Sequence, residues 1–493
     1  MKGKKKIVST LLAATMITAG SGSWNASVVK ADDEVPTLVI EMLCPSVPQD
    51  ADKVEEKVSE YTREKINANV DFMWMTYGEY GEKLSLLYSN PDEELDASFD
   101  FYGSGISSYV SKGALMDVTD LLQEYGQGII DTVGEEYLKA GQVDGRQYTL
   151  TTGRDHAKQY GAVFRKDIIE DLGIDLSEVK TYEDLTPVFE KIKENYPDIN
   201  VMSTPGIDGW ATHAMIDFDN LDDFFGVLED PSDLTVTNWY ASDEYKKRLD
   251  TVRSWNEAGY IYDGLITDSE SQCYSMMSAG NLAGYFISQK PGIETQESNA
   301  AGVEVVGVSL MDPMTTTTTA GGASWALPIN CKYPEKTMEY LNLCYTDEYL
   351  MNLLTYGIEG EHYVVKEDGR AGYPDGVDAQ NCGYGALTGW IYGNQMLTYV
   401  WETDEPTLWD DLKQWNDSAV VSAATGFSFD NSKVKTQYTS LSNIVSKYEM
   451  SLEWGFVDPD EVLPQFLKEL DGAGINEYIA EKQSQLDAWA QNQ

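Results

Sequence analysis

The stretch Tyr356–Val365 reads YGIEGEHYVV and sets Glu359, Glu361 and His362 within four residues of one another. Two carboxylates and an imidazole at that spacing are the ingredients of a proton-transfer site or of part of a metal site. Neither chemistry has a visible second half. The other histidines, His156 and His213, lie far off in sequence, and a lone histidine reads as a hydrogen-bonded structural group. Glu359 and Glu361 share a face only if the loop is extended, and Gly360 between them frees the backbone. Glycoside hydrolysis needs two carboxylates roughly 5–10 Å apart. With 82 acidic residues such pairs must occur, so they carry no information.

Other reaction signatures are missing. The chain has no GxxxxGK[ST], HExxH, GxSxG or EF-hand loop. GYGALTG (383–389) resembles a dinucleotide loop but follows no clear strand, so no cofactor is expected. Five widely spaced cysteines without a CxxC argue against zinc and against a disulfide framework. Aromatics are the abundant chemistry, with 12 Trp and 31 Tyr against 13 Phe. A flat apolar face with a polar edge suits a sugar, which offers CH groups on one face and hydroxyls round its rim.

The elements that would position these rings alternate. TLVIEML (37–43), NVDFMWM (69–75) and SFDFYG (98–103) read as strands, separated by the amphipathic helix ADKVEEKVSEYTREKIN and by EYGEKLSLLYS. That rhythm predicts a mostly parallel, doubly wound α/β sheet, which binds ligands beyond the carboxyl ends of its strands. Breaks near residues 153 and 312 predict two lobes whose chain crosses between them more than once. The length of 493 residues also exceeds one comfortable core.

Lys2, Lys4, Lys5 and Lys6 precede an apolar run at 7–19, and Val29-Lys30-Ala31 forms a small-x-small cleavage signal. Residues 1–31 therefore read as an export signal. Its removal takes the formal charge from −47 to −52, a surface that repels nucleic acid and anionic lipid.

Several blocks resemble a known family: SKGALMDVTDLLQEYG (111–126), VDGRQYTL, GAVFRKDIIEDLGID, WNEAGYI, the YGIEGEHY segment, WIYGNQMLTYVWETDEP and the tail from GFVDPDEV. Together they resemble the family 1 extracellular solute-binding proteins of bacterial ABC importers, in a Gram-positive subgroup with a long C-terminal extension. The resemblance implies a two-lobe, periplasmic-binding-protein-like type II fold, similar to maltose-binding protein. Lobe 1 would comprise residues 32–153 with 312–370, and lobe 2 residues 154–311 with 371–493. It further implies a monomer without cofactor or catalytic residues that captures an oligosaccharide and delivers it to membrane permeases. A peptide or other small-solute receptor and a secreted glycoside hydrolase are the alternative readings. The expected ligand-binding residues are Trp74, Tyr77 and Tyr102 at strand ends and Arg154 and Asp155 between lobes. Trp210, Trp325, Trp390, Asn394 and Gln395 are expected from the second half, with Glu359 for a sugar hydroxyl. One departure concerns anchoring: MITAGSGS stands where subgroup members carry a lipobox cysteine, so release or another means of surface retention is expected.

Overall fold

Thr37–Cys44 is buried at nearly every position from Leu38 onward, the pattern of a strand covered on both faces. In the computed structural model, which describes residues 35–90, 93–101, 106–206, 209–267, 271–385 and 388–492, it runs parallel to Asn69–Thr76 in unbroken register from Thr37–Asn69 to Cys44–Thr76. The expected signal peptide and Tyr102 lie outside the described residues. Helix Ala51–Ile66 makes the crossover, burying Val54 and Val58 and ending on Asn67 in the left-handed conformation. A parallel bridge from Ile40 to Ala97 brings in the third strand, Ser98–Asp100.

The sheet then departs from a purely parallel pattern. Ser324–Ala326 inserts antiparallel between Ser98–Asp100 and Thr149–Thr151. It comes from a distant part of the chain and need not keep the direction set by the βαβ units. A second sheet has the order Val305–Ser309, Gln159–Arg165, Leu282–Gln289, Asn200–Ser203, antiparallel except for its last pair.

Two large apolar cores accompany the two sheets. One gathers residues from 38–150 and 323–392, the other from 160–310 and 424–486. The chain therefore passes between them at 151–159, at 311–322 and at 393–423. The breaks read near 153 and 312 fall in the first two passages; the third crossing, expected at 370/371, lies further along at 393–423. Tyr384, Ile391 and Tyr392 pack in the first core, although the expected boundary at 371 gave them to the second lobe. The Tyr384 hydroxyl donates to Leu354 O (3.0 Å) and the Trp325 indole to Ile391 O (2.9 Å), which fixes the segment there. The three passages lie side by side: Lys158 and Met314 exchange backbone hydrogen bonds at 2.8 Å, and Met314–Thr315 runs parallel to Val420–Val421.

The C-terminal helices Lys435–Glu453, Pro459–Ala473 and Ile475–Ala490 bury Leu441, Leu452, Phe466, Leu470 and Tyr478 in the second core. Glu453 anchors them polarly. Fully buried, it accepts from the backbone N–H of Ala211 (2.8 Å) and Thr212 (3.0 Å) and from the Tyr245 hydroxyl (3.0 Å). Burial, followed by the nearby Glu449 carboxylate, pushes its pKa up to about 8. All five cysteines are free thiols. Among the described residues no helix is long and apolar enough to cross a membrane.

Candidate functional site

The carboxyl ends of the three parallel strands each present a large apolar side chain to solvent. Val47 follows the first strand at 50% exposure, Tyr77 the second at 38% and Phe101 the third at 43%. Three such groups at the carboxyl ends of strands in an α/β sheet lie where sheets of this kind bind their ligands, which makes this end the candidate site. Phe101 extends into a shelf. Its ring lies 5.9 Å from Trp390 and 6.0 Å from Tyr80, with Phe99 6.2 Å beneath Trp390.

Arg154 lies on that shelf, its guanidinium 4.8 Å from the centre of the half-buried Trp390 ring. A short ladder sets this up. Gly153 N donates to Gly393 O (3.0 Å) and Gln395 N to Gly153 O (2.9 Å), so the first and third passages run together. A side chain at Gly153 would press on Asn394, whose Oδ1 would lie 2.9 Å from the added carbon. Arg154 Nε donates to Asp155 Oδ1 (2.7 Å), and Lys290 Nζ reaches Asp155 Oδ2 at 3.2 Å from the end of Leu282–Gln289. Burial opposes the charge of Asp155, but Lys290 and Arg154 together hold its carboxyl down at about 2. Next to it, burial lowers the His156 imidazole to about 4, so it is a neutral ring that hydrogen-bonds Thr152 O (2.8 Å). Asn416 ties this turn to the third passage, accepting from His156 N (2.9 Å) and donating to Arg154 O (2.8 Å).

A cavity of about 230 Å³ opens here, walled by Arg154, Asp155, Lys158, Lys290, Thr319 and Trp415. A larger one of about 740 Å³ lies between Ser107–Ser111 and 139–145 on one side and 426–430 with Gln485 and Trp489 on the other. Ser107 Oγ donates to Ser428 Oγ across it at 2.9 Å.

Arg154, Asp155, Trp390, Asn394 and Gln395 thus come together, with Tyr77 exposed at its strand end. Asn394 turns its amide inward, where Oδ1 accepts from Met396 N (3.1 Å) and caps the following turn. Trp74 is half-buried and edge-on to Phe72 and Tyr384 at 6.0 and 6.3 Å. Two expectations fail. Trp210 is fully buried among Tyr182, Trp255 and Phe286, and Trp325 is 1% exposed against Phe99, so neither offers a ring face to a ligand. Trp325 lies in the strand Ser324–Ala326 and Trp210 opens the helical turn Trp210–Ala214, and core packing claims both rings. Phe101, Tyr80, Lys158 and Lys290 join Arg154, Asp155 and Trp390 without having been expected there. The strand-end rule that chose Tyr102 covers Phe101 as well, because the strand stops at Asp100 rather than at Gly103.

Glu359 sits instead in a shallow groove of about 110 Å³ with Lys57, Leu353 and Tyr363. The remainder of its motif is structural. Helix Glu348–Tyr356 ends at Gly357, whose φ of +83° suits glycine, and an added carbon there would lie 2.5 Å from the His362 ring. His362 Nδ1 accepts from Ile358 N (2.9 Å), its Nε2 faces Asp50 Oδ2 (3.2 Å), and Glu361 pairs with Lys53. Asp50, Glu361 and His362 lie close enough to share a cation. However, a neutral ring that accepts at Nδ1 carries its proton on Nε2, which leaves no nitrogen lone pair for a metal.

The family model described as bacterial extracellular solute-binding protein matches residues 46–351, and a domain of unknown function, DUF3502, matches 423–491. A carbohydrate ABC transporter substrate-binding protein of Streptococcus pneumoniae is 26% identical, with all of both chains covered. Among solved structures, the N-glycan transport solute binding protein NgtS of Streptococcus pneumoniae is 25% identical, with a TM-score of 0.81 over 93% of this chain and 99% of that one. The same protein in complex with Man5GlcNAc is 26% identical and scores 0.69 over the same shares of both chains. With a matching model over more than half its length, two sheets with separate cores and three passages between them, the chain belongs to the bacterial extracellular solute-binding protein family.

Proposed function

We propose that this protein is the oligosaccharide receptor of an ABC importer, taking its sugar between the lobes and handing it unaltered to membrane permeases while a separate subunit hydrolyses ATP. The observation that carries the reading is the open row Val47, Tyr77, Phe101, with Trp390 and Arg154 beside it, at the carboxyl ends of the first sheet. Aromatic faces next to charged and amide groups match a sugar's CH faces and hydroxyl rim. The glycan named for the Streptococcus pneumoniae relative supports the same ligand class.

Lobe 1 then comprises residues 36–151 with 323–392, and lobe 2 residues 159–310 with 424–490. The side-by-side segments at Lys158, Met314–Thr315 and Val420–Val421 serve as the hinge. The drop in TM-score from 0.81 to 0.69 between the NgtS structure described without a sugar and the glycan complex is what lobe closure would produce. The 1–31 segment directs export, cleavage follows Ala31, and the mature chain acts outside the membrane as a monomer without cofactor.

Tryptophan fluorescence tests the reading. Oligosaccharides should give a saturable change and be recovered intact. Saturation with peptides alone would replace the ligand class, and release of reducing ends would make the protein a hydrolase.

A further inference from the structure

The chain carries 82 acidic against 35 basic residues, yet the 230 Å³ cavity beside the hinge reverses that balance. Arg154, Lys158 and Lys290 line it, and Asp155 is the one acid among the lining residues. Asp155 is already committed, one oxygen to Arg154 Nε and the other to Lys290 Nζ. Among the described residues, the two terminal guanidinium nitrogens of Arg154 and the ammonium of Lys158 have no protein acceptor.

Two contacts hold the side chain: Nε is tied to Asp155 and the guanidinium carbon lies 4.8 Å from the centre of the Trp390 ring, and the two free terminal nitrogens are the pair with which a guanidinium grips an oxyanion in two places. The register sets the other cations. Gln159 pairs with Gln289, which carries Lys290 to the level of the 155–158 turn. The volume is below the roughly 300 Å³ floor of ordinary ligand sites and fits one sugar residue.

We infer that this cavity is an anion subsite, which receives the carboxylate or sulfate group of an acidic sugar residue in the bound oligosaccharide. The inference rests on the receptor reading above and narrows its substrate class: the oxyanion lies in the Arg154 fork, Lys158 supplies the second charge, and the sugar ring continues towards Trp390.

Calorimetry on the full chain with matched probes tests it. Sialyl-N-acetyllactosamine and trigalacturonate are each titrated beside their methyl esters, which keep the skeleton and remove the charge; a 6-sulfated lactosamine distinguishes sulfate from carboxylate. At least one charged form should bind about tenfold or more tightly than its neutral partner, the scale of one charge-assisted hydrogen bond. Lys158→Met, at an exposed position, should shrink that ratio, and added salt should do the same. Equal binding of charged and neutral forms would overturn the subsite and leave the receptor reading standing. Binding of no glycan of either kind would overturn both.

Discussion

Replacing Lys482 with methionine should cost this protein more stability than any exposed substitution. Lys482 is wholly buried on the inner face of the last helix, its ammonium donating to Leu221 O (3.1 Å), Gly226 O (3.0 Å) and Asp223 Oδ1 (2.8 Å). The rings of Phe429 and Tyr478 flank it at 5.2 and 5.5 Å. The ammonium holds a loop that strains to turn: Leu221 and Asp222 have φ values of 45° and 79°. The same loop braces the interlobe passages, since Asp219 accepts from Ser422 Oγ (2.5 Å) and Asp222 from Phe429 N (3.2 Å) and Thr318 Oγ1 (3.4 Å). Methionine keeps the apolar stem on both rings and deletes the charge with its three hydrogen bonds. Breaking a buried ion pair costs about 3–5 kcal/mol because the remaining charge is orphaned. Asp223 keeps the Tyr478 hydroxyl (2.6 Å) and Phe225 N (2.8 Å), which places the loss at the lower end, about 3 kcal/mol. For a lobe of this size that is a fall in Tm of about 6–12 °C. Calorimetric melts of the wild type and Lys482→Met measure it, and Lys482→Met/Asp223→Asn should recover about 1–2 kcal/mol by removing the orphaned charge. A single variant that melts within about 2 °C of wild type would refute the idea that this ammonium holds the loop.

Other consequences concern the site and its surroundings. Trp390→Ala should weaken oligosaccharide binding by about 1–3 kcal/mol in calorimetry, and unchanged affinity in a folded variant would remove the ring from the site. Acid should destabilise the protein in two windows, followed as urea midpoints against pH. His156 is neutral in the fold with a pKa near 4, so its contribution is complete above the unfolded value near 6.5 and is lost as pH falls towards 4. Asp155, held at about 2, contributes fully above about 3.8 and loses its share, about 2 kcal/mol, as pH falls towards 2. A flat midpoint from pH 6.5 to 4 in the wild type, or a slope that persists there in His156→Gln, would contradict the first assignment. Zinc or calcium should leave Tm unchanged, because His362 Nε2 carries a proton and Lys53 occupies Glu361; a rise of several degrees with zinc would reverse that reading.

Local patterning made the first lobe legible. The strands read at 37–43, 69–75 and 98–103, the last of which stops at Asp100, and the helix between the first two were visible because their apolar residues repeat at strand and helix periods within a short stretch. The third passage was expected at 370/371 and lies further along, after Tyr392. Residues 393–423 include the helix Leu408–Asp417, whose own pattern says nothing about which core it leaves or joins. Ring composition named Trp390, which lies on the shelf, together with Trp210 and Trp325, which are buried, because a tryptophan in a core and one on a shelf look alike in one dimension. Lys290 could not be placed beside Asp155 from sequence, since only the pairing of Gln159 with Gln289 brings those distant segments together. The YGIEGEHYVV motif looked like chemistry and proved to be a clasp that closes the end of one helix and pins the start of another at Asp50.

The central claim is that an oligosaccharide is captured between the lobes and left intact. The most direct measurement combines calorimetric titration with a panel of oligosaccharides and solution X-ray scattering of the same samples. Saturable binding of at least one glycan, a smaller radius of gyration in the saturated protein and recovery of the unaltered sugar is the predicted result. Peptide binding with no glycan binding, or shortened sugars after incubation, would contradict it.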